Sequence, residues 1–255
     1  FTSNSFWLDL ELRKDIDDYL TLIYCLESGV PIRAVSINNP SINELKLLNL
    51  TMRQFERKTP IVYTGEVTTY LKSEDLQPVL LKKVANESEG GLDVIKKLGV
   101  DPLSLGGATV FCGGSLTTLQ ELIRLTPNDS KINACIQGGY AGPLLMDEAK
   151  TLKKFKKRKM VPTWNLNLDL EASKDVLNAS NVNCMFVSKD ICHDSWVTDK
   201  DLEGSTSLFA SAFKEYLDDI EWSNKKCLHD VLAFMSMRVK GLVEFKSVKL
   251  NFKTS

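Results

Sequence analysis

Short apolar runs and longer amphipathic stretches alternate along this sequence, and the alternation restricts the fold more than any other feature. The run FWLDL at residues 6–10 precedes the helical pattern IDDYLTLIYCLESG at residues 16–29. The later segments of the pattern are IRAVSIN, INELKLLNLTMRQFE, IVYTG, ATVFCG, LTTLQELIRL, INACIQGG, MVPTWNLN, LEASKDVLNAS and CMFVS. Strands that alternate with helices form parallel sheets. We therefore predict an α/β fold with an open, mostly parallel sheet and helices on both faces.

The length of 255 residues suits one such unit, so residues 1–255 are predicted to form a single domain. Residues 206–220 and 228–240 read as the last helices, and the terminal VEFKSVKLNF reads as a hairpin or an edge strand. Ligands of open α/β sheets bind beyond the carboxyl ends of the strands, near the point where the strand order reverses. Polar residues that directly follow strands are therefore the candidates for function.

The charge balance argues against large anionic partners. The formal net charge is −1, so the field of the whole chain attracts neither nucleic acid nor a membrane surface. Uninterrupted apolar runs stay shorter than the roughly 18 residues that a spanning helix needs. One cationic strip stands apart, KTLKKFKKRK at residues 150–159, and the ordinary interpretation of such a strip is a solvated surface.

The six cysteines lack the CxxC spacing of a zinc site and the density of a disulfide scaffold, so we predict buried thiols. Four Asn-X-Ser/Thr triplets would permit glycosylation of a secreted chain, at Asn49, Asn86, Asn128 and Asn178. The compartment stays open, with the cytoplasm slightly favoured over secretion.

Five carboxylates fall within ten residues after the first predicted strand: Asp9, Glu11, Asp15, Asp17 and Asp18. Like charges at this density repel one another, and a bound cation relieves the repulsion. Oxygen-rich clusters suit a hard ion such as Ca²⁺ or Mg²⁺. The alternative is that Asp15 or Asp17 caps the following helix, which accounts for one or two of the five.

The acidic segment DLELRKDIDDYLTL resembles the signature DTDxGxDIDDALAL of the nucleoside hydrolases. The resemblance continues along nearly the whole chain in the family's order: IRAVSINN and IVYTGE resemble its second and third strands, GGSLTTL its GPLTNI, TWNLNLDLEAS its EFNIxxDPEAA, and LHDVLAF its HDPLA. This resemblance implies an enzyme that hydrolyses the N-glycosidic bond of a nucleoside, with Ca²⁺ (or Mg²⁺) binding the ribose hydroxyls and the attacking water. It also allows a homo-oligomer.

Carried over position by position, the resemblance implies a role for each candidate residue. Three carboxylates and one backbone carbonyl would bind the metal: Glu11, Asp18, Asp230 and Gly113. Glu11 would also be the general base, and His229 would protonate the departing base. Asp17, Asn39, Asn165 and the metal ligand Asp230 would hold the ribose, with Asp9 supporting the metal ligands from behind.

The chain departs from the family pattern at three places. Glu11 replaces an Asp, Arg13 and Lys14 stand where the family has Gly, and Thr163 replaces the Glu that recognises the ribose 5′-hydroxyl. With the cationic strip nearby, a neutral Thr163 would accept a 5′-phosphorylated substrate, so the predicted partner is a nucleoside or a nucleotide. Two alternatives remain open: a catalytically weakened relative that binds a ribosyl ligand or a protein, and a phosphate-binding transferase that uses GGSLTT.

Overall fold

A computed structural model describes residues 4–13, 15–68, 76–88, 92–99, 107–127, 129–142, 145–147, 150–220 and 223–250. Its strands are β1 (Phe6–Leu10), β2 (Ile32–Asn38), β3 (Ile61–Thr64), β4 (Lys96–Lys97), β5 (Thr109–Cys112), β6 (Ile132–Gln137), β7 (Val182–Val187), β8 (Trp196–Thr198) and β9 (Lys225–Cys227). Its α-helices are α1 (Asp17–Glu27), α2 (Ile42–Gln54), α3 (Pro78–Val84), α4 (Thr117–Leu125), α5 (Trp164–Leu168), α6 (Leu170–Asn178), α7 (Lys189–Cys192), α8 (Leu208–Asp219) and α9 (His229–Arg238). Short 3₁₀ helices lie at Leu92–Val94 and Asp199–Leu202.

Seven of the described strands form one parallel sheet in the order β4-β3-β2-β1-β5-β6-β7. The chain moves outward from β1 to β4, then crosses back to place β5 on the other side of β1. The strand order therefore reverses between β1 and β5, which is where open α/β sheets bind ligands. The predicted α/β class with a parallel sheet is confirmed.

Different helices cover the two faces of the sheet. Successive strand residues point to opposite faces, so Trp7 and Leu8 of β1 enter different cores. Leu8 and Phe111 pack with α1, α2, α3, α8 and α9, whereas Trp7 and Val110 pack with α4 and α6. Helices therefore lie on both faces, as the sequence predicts.

The C-terminal part of the fold carries α9 to the centre of the sheet. The antiparallel pair of β8 and β9 directly precedes α9, and α9 packs against α1. Because α1 follows β1, this packing brings the first residues of α9 next to the loop that leaves β1. Two segments that are more than two hundred residues apart in sequence thus meet at the reversal point.

Two local predictions are wrong. MVPTWNLN, predicted to continue the strand pattern, is irregular up to Thr163 and then forms the short helix α5. The described part of VEFKSVKLNF, residues 243–250, is neither a hairpin nor a strand, since its apolar side chains at Phe245, Val248 and Leu250 are exposed and find no sheet to join. Residues 251 and 252 of that segment lie outside the described residues.

The prediction for the cysteines is confirmed: all six are free thiols, and five of them are buried. Within the described part of the chain, no helix is both long and apolar enough to cross a membrane. Lys14 and the sequon residue Asn128 lie outside the described residues.

Candidate metal and substrate site

Three carboxylates converge where the strand order reverses. Asp17 and Asp18 begin α1 after the loop that follows β1, and Asp230 lies in the first turn of α9. One oxygen from each of the three carboxylates lies within 4.8 Å of the other two, and all three residues are buried. Long-range packing of α9 on α1, rather than proximity in sequence, creates this carboxylate triad.

The carboxylate triad is under strong electrostatic strain. Asp18 Oδ1 and Asp230 Oδ1 are buried and accept no hydrogen bond from the described residues. Burial, and after it the charge of Asp17, raises the pKa of both Asp18 and Asp230 well above the usual range. Unpaired buried charge is costly, and a hard divalent cation coordinated by oxygens would offset that cost. The donor set of the triad therefore fits Ca²⁺ or Mg²⁺.

Gly113 lies directly against the carboxylate triad. A Cβ atom added to Gly113 would collide with Asp18 Oδ1 and would lie 3.4 Å from Asp230 Oδ1, so only glycine leaves space for the Asp18 carboxylate. The Gly113 carbonyl accepts a hydrogen bond from Asn165 Nδ2 at 2.8 Å. Asn165 also donates to the Gln137 backbone carbonyl at 3.0 Å and to its side-chain oxygen at 2.8 Å. Asn165 thus fixes the loop after β5 to the end of β6.

Asp17 orients α9. Its Oδ2 accepts hydrogen bonds from the backbone N–H groups of His229, at 3.0 Å, and Asp230, at 3.3 Å. These are amides of the first turn of α9, which have no partner within the helix. The alternative in which Asp17 caps its own helix is not what the structure shows, because the N-cap of α1 is Ile16 and makes no side-chain hydrogen bond. Asp17 instead caps a helix distant in sequence and positions Asp230.

Glu11 borders the carboxylate triad. Among the described residues, its carboxylate does not belong to any group of three side chains whose ligand atoms lie close enough together to share a metal ion. Its side chain is partly exposed, and burial raises its pKa, while the nearby charge of Arg13 lowers it. Arg13 Nη2 donates to the Asn39 carbonyl at 2.8 Å, so this arginine spans the loops after β1 and β2. Gly114 approaches Glu11 closely, since an added Cβ would lie 3.0 Å from Glu11 Cβ.

Asp9 lies behind the site in the sheet itself. It is buried and accepts a hydrogen bond from Ser36 Oγ at 2.6 Å, and Ser36 in turn accepts one from Trp7 Nε1 at 2.8 Å. Burial raises the pKa of Asp9 to about 7, against the effect of the Ser36 hydrogen bond. The Asp9 carboxyl is therefore partly protonated near neutral pH, and this limits the negative charge beneath the triad.

Lys226 is a residue of the site that the sequence did not reveal. Its Nζ lies 2.9 Å from Asp15 Oδ1 and its side chain is 15% exposed. Burial lowers the pKa of Lys226, but the charges of Asp17 and Asp15 outweigh burial and raise it. Lys226 thus pairs with Asp15 and offsets part of the charge of Asp17, whereas Asp18 Oδ1 and Asp230 Oδ1 have no partner among the described residues. No local sequence signal identifies it, because its position depends on the pairing of β8 with β9.

His229 faces the same region from α9. Its Nδ1 lies 3.9 Å from Asp17 Oδ2, and its buried Nε2 has no hydrogen-bond partner among the described residues. Its ring lies 4.8 Å from the ring of His193, centroid to centroid. Burial, followed by the charge of Lys226, lowers the pKa of His229 to about 4. The imidazole is therefore neutral at neutral pH.

The remaining candidates lie around this centre. Thr163 is buried and its Oγ1 accepts a long hydrogen bond from Gly139 N–H at 3.4 Å. Asn39 is exposed with a positive φ of 45°, and its Oδ1 accepts from Glu66 N–H at 3.0 Å, which directs it toward the loop after β3. Trp164 is 71% exposed beside Asn165. Most of the cationic strip is exposed, but Lys154 reaches His193, a neighbour of His229.

Comparison with solved structures places the fold in a class. The chain is similar to a structure described as an inosine-guanosine nucleoside hydrolase, with a TM-score of 0.57 and 14% sequence identity over 92% of this chain and 78% of the other. The fold is therefore nucleoside hydrolase-like. No family model and no curated protein matches the sequence.

Proposed function

We propose that this protein hydrolyses the N-glycosidic bond of a ribosyl compound at the site formed by β1, β5 and α9. The observation that carries the proposal is the convergence of Asp17, Asp18 and Asp230 at the reversal point of the sheet, with two oxygens that have no hydrogen-bond partner in the described part of the chain. The similarity to the inosine-guanosine nucleoside hydrolase supports the same reaction class.

Asp18 and Asp230 would hold a calcium or magnesium ion, with the Gly113 carbonyl beside them. When bound, such an ion lowers the pKa of water and stabilises developing negative charge. Buried carboxylates around a ribose ring also stabilise the positive charge that develops at its anomeric carbon as the base departs. The same charges that repel one another in the triad therefore suit the transition state.

Hydrolysis forms a bond from the water oxygen to the anomeric carbon and breaks the carbon–nitrogen bond, whose electron pair leaves with the base. Glu11 is proposed to accept the proton from water, since its carboxylate borders the triad, is reachable from solvent and has a raised pKa. His229 is proposed to lie near the departing base, since its Nε2 makes no hydrogen bond to the residues that the structure describes. Asp17 and Asn165 are proposed to bind the ribose hydroxyls, with the Asn39 amide as a further donor.

A second candidate function is binding of a ribosyl ligand without turnover. It is favoured by one observation: Glu11, the proposed base, lies outside the group of three converging carboxylates, with the cationic Arg13 next to it. Binding of ribose without release of base would support this alternative.

The deciding experiment measures release of free base from a panel of nucleosides and nucleotides by the wild-type chain, Asp18→Asn and Asp218→Asn. Asp218 is an exposed residue of α8, so Asp218→Asn is matched in chemistry and remote from the site. We expect base release by wild type and Asp218→Asn, and a loss of at least about 10²-fold in Asp18→Asn. Absence of base release from the whole panel by wild type would overturn the enzymatic proposal.

A further inference from the structure

Two lysines that the proposed reaction does not use lie at the edge of the site. Lys189, the first residue of α7, donates from Nζ to the Pro162 carbonyl at 3.1 Å. Lys154, in the cationic strip, places Nζ 2.7 Å from His193 Nδ1. The strip is held in place by Phe155, which is buried, and by Tyr140, whose hydroxyl donates to the Arg158 carbonyl at 2.9 Å.

These two ammonium groups have no acidic partner among the described residues. Other lysines of the fold do, since Lys226 pairs with Asp15 and Lys83 with Glu215. Both lysines contact His193: Lys154 Nζ lies 2.7 Å from its Nδ1, and the Lys189 carbonyl accepts a hydrogen bond from its backbone N–H at 3.1 Å. Burial, and after it the charge of Lys154, lowers the pKa of Lys189. Two like charges held together without a counter-charge leave room for an anion.

Two chains of contacts join the lysine pair to the carboxylate triad. From Lys154, contacts run through the rings of His193 and His229 to Asp17, whose Oδ2 lies 3.9 Å from His229 Nδ1. From Lys189, they run through Pro162 and the residues that follow it to Asn165, which binds the Gly113 carbonyl. The carboxylate triad and the two lysines are therefore connected by continuous contacts, with the triad at one end and the lysines at the other.

We propose that Lys154 and Lys189 bind the phosphate of a 5′-phosphorylated ribosyl substrate whose ribose hydroxyls face the carboxylate triad. This inference rests on the proposed function and specifies its substrate class. Ammonium groups bind phosphate as point charges, and the pair supplies two of them. His193 adds a donor: because an ammonium group only donates, Nδ1 accepts from Lys154 and the proton of the neutral ring sits on Nε2.

The neutral side chain of Thr163 is consistent with a phosphate group bound by these lysines. It follows Pro162, the residue whose carbonyl binds Lys189, and it is neutral. A carboxylate at this position would face the phosphate with like charge, whereas a threonine hydroxyl is compatible with it. The exchange that the sequence shows at Thr163 and the position of Lys189 therefore favour the same substrate.

The test is the binding of ribose 5-phosphate, ribose and inorganic phosphate to the full chain, measured by calorimetry at two salt concentrations. The variant is the double substitution Lys154→Gln/Lys189→Gln. Its control is Lys156→Gln/Lys159→Gln, which removes the same charge from exposed positions of the same strip. Glutamine keeps a donor for the Pro162 carbonyl, so the variant tests charge.

We expect wild type and control to bind ribose 5-phosphate at least about tenfold more tightly than ribose, with the preference falling at higher salt. The Lys154→Gln/Lys189→Gln variant should bind the two sugars alike. Equal binding of both sugars by wild type, or an unchanged preference in the variant, would overturn the inference. Inorganic phosphate that binds as tightly as ribose 5-phosphate would show a free-phosphate site and overturn the ribosyl part.

The experiments can refute the hydrolase proposal and the phosphate-site proposal independently of each other. Turnover of nucleosides without any preference for phosphate would leave the hydrolase proposal standing and remove the phosphate subsite. Selective binding of ribose 5-phosphate without release of base from any compound would remove the hydrolase proposal and leave the subsite.

Discussion

Gly113 makes the carboxylate triad sterically possible. Its lack of a side chain leaves space for Asp18 Oδ1, and Asp230 Oδ1 lies at ordinary contact distance from the same point. The φ of Gly113 is not in the left-handed region, so alanine would fit the backbone there and collide only with the carboxylate. The requirement for glycine at this position is therefore close approach rather than backbone freedom.

Gly113→Ala should displace the Asp18 carboxylate and remove base release. A shift of about 1 Å in a positioned group costs roughly 10²-fold in rate, so we expect a loss of that order in kcat/KM. Steady-state kinetics, with thermal unfolding to verify the fold, would measure it. Gly99→Ala is the matched control, because its added Cβ has only the Lys97 carbonyl oxygen nearby, at 3.9 Å. Unchanged kinetics in Gly113→Ala would contradict the arrangement described for Asp18.

At the scale of elements, the site depends on how α9 is attached to α1. Asp17 accepts hydrogen bonds from two first-turn amides of α9, and the rest of α9 packs its apolar side, including Phe234, into the core. Phe234 contacts Phe6 and Phe111 edge to face, at centroid distances of 5.0 and 5.5 Å. Apolar packing therefore holds the helix, while Asp17 sets its first turn and the place of Asp230.

Asp17→Ala should loosen the first turn of α9 selectively. We expect faster amide hydrogen exchange at His229 and Asp230, by at least about fivefold, because a lost cap costs about 1 kcal/mol locally. Exchange in the strands should stay unchanged. Asp18→Ala serves as the control, since it removes a carboxyl group from the triad but no hydrogen bond to the described residues of α9. If both variants exchange alike at these two amides, Asp17 does not orient the helix.

For the molecule as a whole, a metal ion bound at the carboxylate triad would raise the stability of the folded state. The net charge of −1 hides a local excess of carboxylates, only part of which Lys226 and Arg13 offset. A cation that binds only the folded state stabilises it, by about 2.7 kcal/mol at a concentration a hundred times its Kd. In a chain of this size, each kcal/mol raises Tm by roughly 2–4 °C.

Millimolar calcium should therefore raise the Tm of chelator-treated protein by several degrees, as measured by calorimetric or fluorescence melting. The Asp18→Asn/Asp230→Asn variant should lose this response. It should also melt above wild type in chelator, because neutral amides avoid the cost of burying a charge and, after it, the repulsion from Asp17, which together raise the pKa of both carboxylates. If neither calcium nor magnesium changes the Tm of wild type, or if calcium raises the Tm of the variant equally, the result would argue against a metal at the triad.

The order of elements and the parallel sheet were predictable from local patterns. Apolar runs such as FWLDL are short and buried on both faces, and the segments between them have helical periodicity, so each element is encoded by its own residues. The segments MVPTWNLN and VEFKSVKLNF were predicted wrongly because their apolar residues satisfy a strand pattern, whereas their described residues pair with no strand. Composition alone does not reveal that a pairing partner is missing.

The sequence also indicated the acidic loop after β1 and the late His229-Asp230 pair as candidates. What only the tertiary structure decided is which carboxylates meet: Asp17 joins Asp18 and Asp230, while Glu11 borders them and Asp15 is paired with Lys226. It also decided that Lys154 and Lys189 both contact His193, although the strip to which Lys154 belongs has the composition of a solvated surface. The physical reason is that sequence patterns encode the faces of single elements, whereas contacts between charges depend on the distances that long-range packing of whole elements creates.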